Sequence, residues 1–86
     1  MDQPYELRFT KEAKKDIDKL SPALKEKLKK ILTYQIASRP YGGKKLVGDL
    51  NGFFSVRLAY KDRVVYSIDE LNHCVYIHRA KTHYGD

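Results

Sequence analysis

Between Phe53 and Ile68 the chain reads FFSVRLAYKDRVVYSI, a stretch that alternates, turns once and alternates again. Phe54, Val56 and Leu58 fall on one side of an extended segment, and Ser55 and Arg57 fall on the other. After a turn near Lys61-Asp62, Val64, Tyr66 and Ile68 resume the apolar side, with Arg63 and Val65 opposite them. A period of two is the strand signal, so this stretch predicts a hairpin that buries one face. Its other face carries Arg57 and Arg63, and the rest of the chain must cover the apolar side.

The flanking segments supply that cover. Tyr5, Leu7 and Phe9 alternate with Glu6 and Arg8, which predicts a short, half-buried first strand. Thr10 can cap a helix after this strand by accepting a hydrogen bond from a free backbone N–H. From Lys11 to Leu20 the apolar residues Ala13, Ile17 and Leu20 form one helical stripe. Ser21-Pro22 then restarts a helix, with serine as N-cap and proline in the first turn. Leu24, Leu28, Ile31, Leu32 and Ile36 share one face of this second helix, which must end before Pro40. So short a link makes the two helices a hairpin. Their lysines, interspersed with Glu12, Asp16, Asp18 and Glu26, read as a solvated polar face with at most a steering role.

Arg39 to Gly52, RPYGGKKLVGDLNG, holds four glycines and is expected to lack regular structure. Its glycine spacing is not that of a nucleotide-binding Walker loop, so nucleotide binding is rejected. Lys44 and Lys45 remain candidates for phosphate contact, since loops on rigid scaffolds often carry function. A turn at Asp69–Asn72 precedes a last strand, Cys74 to Ala80, and a polar tail closes the chain. The order β-α-α-β-β-β predicts one α+β domain over residues 1–86: two layers, the helical hairpin on one face of a mainly antiparallel sheet. The opposite sheet face is then open, polar and concave.

Charge makes that open face interesting. Lysine and arginine number 17 against 11 acids, a net charge of +6, which makes a polyanion a candidate partner. Cys74 is the single cysteine, so no intrachain disulfide forms, as suits a reducing cytoplasm. No apolar run is long enough to span a bilayer, and the first residues do not read as a signal peptide; no membrane association is expected. Three histidines and one cysteine lack zinc spacing, so neither metal nor cofactor is expected. Cys74 in an apolar strand and the lack of a Gly-x-Ser-x-Gly elbow leave nucleophilic hydrolysis without support.

Two signals for chemistry remain. Arg57 and Arg63 lie on one side of adjacent strands, and their flat forks match phosphate oxygens. Either each pairs with a carboxylate such as Asp49 or Asp62, or an anion sits between them; the shared face and the net charge favour the anion. His83-Tyr84 is the second signal: the imidazole can give or take a proton near neutrality, and the phenol can stack on a base. His78 could share the polar face or be a satisfied structural histidine, and the second reading is favoured; His73 reads as a turn residue. Tyr66 and Tyr76 read as packing residues, whereas Tyr41 and Tyr60 could face solvent.

The run KKLVGDLNGFFSVRLAYKDRVVYSID, followed by VYIHRAKTHY, resembles the RelE/ParE toxin superfamily of type II toxin–antitoxin systems. Within it, the terminal His-Tyr pair is most similar to the YoeB/Txe branch. The resemblance covers the whole chain and implies the RelE-like two-layer fold. It also implies a cytoplasmic, ribosome-dependent mRNA endoribonuclease in which the ribose 2′-OH attacks the adjacent phosphate. By position it implies that Arg63 holds the scissile phosphate and His83 serves as general acid beside Tyr84. Arg57 falls at a basic strand position, and Lys81 lies near another. The branch carries a glutamate as general base just before the loop leucine; here that place falls at about Lys44, with no acid before Asp49. Either His83 supplies the base, or the cations lower the 2′-OH pKa enough. The implied partners are a cognate antitoxin, the ribosome with its mRNA, and operator DNA bound through the antitoxin. The same fold also serves ParE-like DNA gyrase inhibitors, which need no terminal proton donor.

Overall fold

The computed structural model describes residues 3–80. In chain order the elements are β1 (Glu6–Phe9), α1 (Lys11–Asp18), α2 (Pro22–Ile31), β2 (Lys44–Lys45), β3 (Phe53–Arg57), β4 (Arg63–Asp69) and β5 (Cys74–Arg79). The strands form one five-stranded sheet in the order β1-β5-β4-β3-β2. Only the β1–β5 pairing is parallel; the other three are antiparallel. This is the α+β, two-layer, mainly antiparallel architecture that the element order implies.

Both helix starts are set by their caps. The Thr10 hydroxyl accepts from the Ala13 N–H at 3.1 Å and donates to the His78 carbonyl at 3.0 Å, so the cap also ties α1 to β5. The Ser21 hydroxyl accepts from the Leu24 N–H at 3.3 Å, with Pro22 opening α2. The apolar stripe of α2 continues beyond Ile31, but Leu32–Ile36 winds as a wider π-helical turn. That turn keeps Leu32 and Ile36 on the core while the chain bends toward Pro40.

The core lies between the helices and one sheet face. Ala13, Leu20, Leu28, Ile31 and Ile36 from the helical layer meet Phe54, Val64, Tyr66, Val75 and Ile77 from the strands. Leu58 is fully buried but sits just past β3, where its N–H donates to the Asp62 carbonyl and closes the turn into β4. Tyr66 carries a polar group into this core. Its hydroxyl donates to the Pro40 carbonyl at 2.6 Å, and burial pushes the phenol up to about 12, so it stays a neutral donor.

Three expectations are corrected. Arg39–Gly52 is not devoid of regular structure: β2 extends the sheet, flanked by 3₁₀ turns at Pro40–Gly42 and Gly48–Leu50. Asp16 is not on a solvated face; it is buried, its carboxylate accepting from Arg79 Nε at 2.7 Å and from the Ala80 N–H at 3.1 Å. That pair fastens α1 to the end of β5. Third, the open sheet face is not polar throughout, because the apolar Val65 lies on it and is buried.

Candidate nucleic-acid interface

The strand register decides which side chains share the open face. Arg57 of β3 stands directly opposite Arg63 of β4. In the next row, Lys44 of β2 faces Ser55, which faces Val65. A third row aligns Phe53, Ser67 and Tyr76, with Arg8 of β1 beside Tyr76. The β2 edge and the β3–β4 hairpin therefore gather Lys44, Arg57 and Arg63 at one corner of the sheet.

Neither Arg57 nor Arg63 forms an ion pair among the described residues; the pairs there are Arg8–Glu6 and Arg79–Asp16. The carboxylate alternatives Asp49 and Asp62 are thus not taken up. Like charges directly opposite one another across a strand pair destabilise the sheet. An anion bridging the two guanidinium forks reverses the sign of that term.

Arg63 lines a cation-side cavity of about 380 Å³; a second open cavity, of about 450 Å³, is lined by Tyr34, Gln35, Arg39 and Val56 and touches neither Arg57 nor Arg63. The cation-side cavity is lined by the polar Lys44, Lys45, Arg63 and Ser55 and by the apolar Leu46, Val47 and Leu50. Among the described residues, no carboxylate lines it. Lys44, at about the place where the resemblance leads one to expect a general base, puts a cation on this lining, which among the described residues offers no acidic substitute.

His78 belongs to this face. A bulge in β5 places it as the extra residue between Ile77, which faces Tyr66, and Arg79, which faces Val65. Its Nε2 lies 2.8 Å from the Ser67 hydroxyl and its ring packs against Phe53. Burial holds its imidazole below the ordinary histidine value. The expected structural role fits this hydrogen bond, and the residue shares the polar face as well.

Other sequence-derived candidates separate from the site. Lys81, His83 and Tyr84 lie outside the described residues. Tyr41 is exposed, as expected, but its hydroxyl donates to the Glu70 carboxylate, as does that of Tyr5 at 2.7 Å. These bonds hold the Glu70 carboxyl below its usual range. His73 is more than a turn residue: it takes a left-handed backbone, stacks on Tyr5 and places Nε2 2.8 Å from the Gln3 carbonyl. This cluster sits at the far end of β4 from Arg63. Sequence reasoning missed Ser55 and the Val47–Leu50 wall; the one signal for Ser55 was its shared strand face with Arg57.

No family model matches the sequence, and no curated protein matches it. Solved structures do. A chain of the RelBE2 toxin–antitoxin complex from Mycobacterium tuberculosis is 33% identical over 96% of this chain and 94% of that one, with a TM-score of 0.82. The chain belongs to the RelE/ParE toxin superfamily. The isolated RelE toxin of E. coli is 25% identical, covering 95% of this chain and 87% of that one, at a TM-score of 0.76. In fold, the superfamily member here is also similar to the YoeB/ParE toxin of Agrobacterium tumefaciens, with 21% identity, 92% and 99% coverage and a TM-score of 0.83. YoeB proteins thus stand among the neighbours, as the resemblance to that branch implied.

Proposed function

We propose that this protein is the toxin of a toxin–antitoxin pair and acts as a ribosome-dependent mRNA endoribonuclease. The observation that carries the reading is the Arg57–Arg63 pair, two guanidinium groups placed opposite one another without a carboxylate partner among the described residues. With Lys44 they form a cationic corner suited to an RNA phosphodiester. In the proposed reaction the ribose 2′-oxygen bonds to phosphorus and the bond to the 5′-oxygen breaks. The products are a 2′,3′-cyclic phosphate and a free 5′-hydroxyl. Arg63 and Arg57 neutralise charge accumulating on the nonbridging oxygens, and Lys44 and Lys45 hold the flanking backbone. His83 protonates the departing 5′-oxygen, with Tyr84 beside it and Lys81 contributing charge. Because no carboxylate lines the cavity among the described residues, the cations carry the task of lowering the 2′-OH pKa, and its proton passes to solvent.

The partners follow from the same chemistry. An exposed cationic corner needs an acidic segment of the antitoxin to silence it, and the relatives from M. tuberculosis and Staphylococcus aureus were solved as toxin–antitoxin complexes. A cytoplasmic setting with mRNA and ribosome as substrate completes the proposal, and the antitoxin complex would bind its own operator DNA. The test is expression of the chain alone with primer extension on total mRNA. Cuts in register with the codon frame are expected. Uncut mRNA together with lost gyrase supercoiling would replace this reading with the gyrase-inhibitor one.

A further inference from the structure

Among the described residues, one buried side-chain oxygen has no hydrogen-bond partner, and it is Oγ of Ser55. Ser55 is 2% exposed and lies in the register row between Lys44 and Val65. A buried hydroxyl without a partner costs folding free energy, and such a group in a native site calls for a reason. Ser55 lines the 380 Å³ cavity that Lys44 and Arg63 also line. Val47 and Leu50 line the same cavity, and Val47 presents an apolar side chain at 81% exposure.

The cavity therefore joins two kinds of surface. Cations and a hydroxyl suit the oxygens of a sugar-phosphate. An exposed branched apolar side chain suits the flat, poorly hydrated face of a base. Inorganic phosphate would use only the first of these. The volume falls in the range of sites that enclose small molecules. Lys44 and Arg63 have long side chains, and Arg63 forms no ion pair among the described residues, so both can turn onto a phosphate held in the cavity that Ser55 lines.

We infer that this cavity is a subsite for one nucleotide of the bound RNA strand. The base packs on Val47 and Leu50, and the Ser55 hydroxyl hydrogen-bonds an oxygen of that nucleotide's sugar-phosphate. The inference rests on the ribonuclease reading and adds a residue and a contact surface to it.

The test uses the full chain on ribosomes programmed with mRNA, under single-turnover conditions, with thermal unfolding measured alongside. Ser55→Ala removes a hydroxyl that makes no bond in the free protein, so its Tm should hold or rise. Its kcat/KM should fall about 10- to 100-fold, the usual worth of a hydrogen bond to a charged group. Val47→Ser should raise KM several-fold with kcat kept, because it removes binding shared by ground and transition states. If both variants cut like the parent while Arg63→Ala is inactive, the subsite is refuted and the ribonuclease reading stands. A lower Tm for Ser55→Ala, with activity lost only in proportion to unfolding, gives Ser55 a structural role and also refutes it. If the parent chain cuts nothing, the ribonuclease reading falls and the subsite with it.

Discussion

Gly43→Ala is a small change with a large expected effect. Gly43 has an extended backbone, φ −75° and ψ 170°, which any residue can adopt, so the substitution adds no dihedral strain. The added methyl is the whole perturbation. It would meet the Tyr66 hydroxyl well inside the 3.0 Å that real Cβ atoms keep, with Tyr66 Cζ and the Ser55 carbonyl oxygen each at 3.1 Å. Tyr66 is fully buried and bonded to the Pro40 carbonyl, so the ring has nowhere to retreat. Either the ring gives up that bond or β2 lifts from β3. Overpacking of a tight core costs about 1–3 kcal/mol. The lost Tyr66–Pro40 hydrogen bond adds about 1 kcal/mol. Together they amount to about 2–4 kcal/mol, a large share of a small domain's stability, or a Tm lower by on the order of 10–20 °C. Urea unfolding of Gly43→Ala, Tyr66→Phe and the double variant measures it. Removing the phenolic oxygen relieves the clash, so the cycle should show a favourable coupling of about 1–2 kcal/mol. A Gly43→Ala variant within about 0.5 kcal/mol of the parent, or a strictly additive double variant, refutes the packing argument.

Three further outcomes are expected. Asp16→Ala leaves the half-exposed Arg79 fork and the Ala80 N–H without their acceptor and should cost about 2–3 kcal/mol in urea, less than a fully buried pair because Arg79 reaches solvent. Arg57→Thr removes a like charge from opposite Arg63 and should stabilise the free chain by a few tenths of a kcal/mol at low salt, while cleavage is lost. His78 is held below 6.5 by burial, so the unfolded chain takes up a proton first as pH falls. The stability this group contributes is therefore complete above pH 6.5 and is lost as pH drops through the lowered folded value; a His78→Gln variant should show a shallower loss over that window.

How much of the fold and site was legible in the sequence depends on period and length. The alternation through Phe53–Ile68 carries enough residues to assign both faces of the hairpin, and it put Phe54, Val64 and Tyr66 on the core and both arginines away from it. Thr10 and Ser21 announced the helix starts through cap chemistry. A strand of two residues has no period to read, so β2 was hidden in a glycine-rich loop and exists through pairing with Phe54 and Ser55. Asp16 lies three residues after Ala13 and four before Leu20, on the stripe that meets the core, and its charge masked that placement. Its partner Arg79 lies 63 positions away, beyond any local pattern. The cationic corner was foreshadowed by Arg57 and Arg63, but the cavity wall at Val47 and Leu50 depends on how the loop returns to the sheet. Local pattern thus specified each layer, while the site took its shape from contacts made between layers.

In the proposed function Arg57 and Arg63, which form no ion pair among the described residues, grip a phosphodiester of ribosome-bound RNA. The most direct measurement of that claim is the single-turnover cleavage rate of mRNA in the ribosomal A site by the parent chain and by Arg63→Ala, each shown to be folded. Codon-phased cutting by the parent is expected, with a rate at least about 100-fold lower for the variant, the usual worth of one preorganised donor at a developing oxyanion. Equal rates for the two folded proteins would contradict the claim.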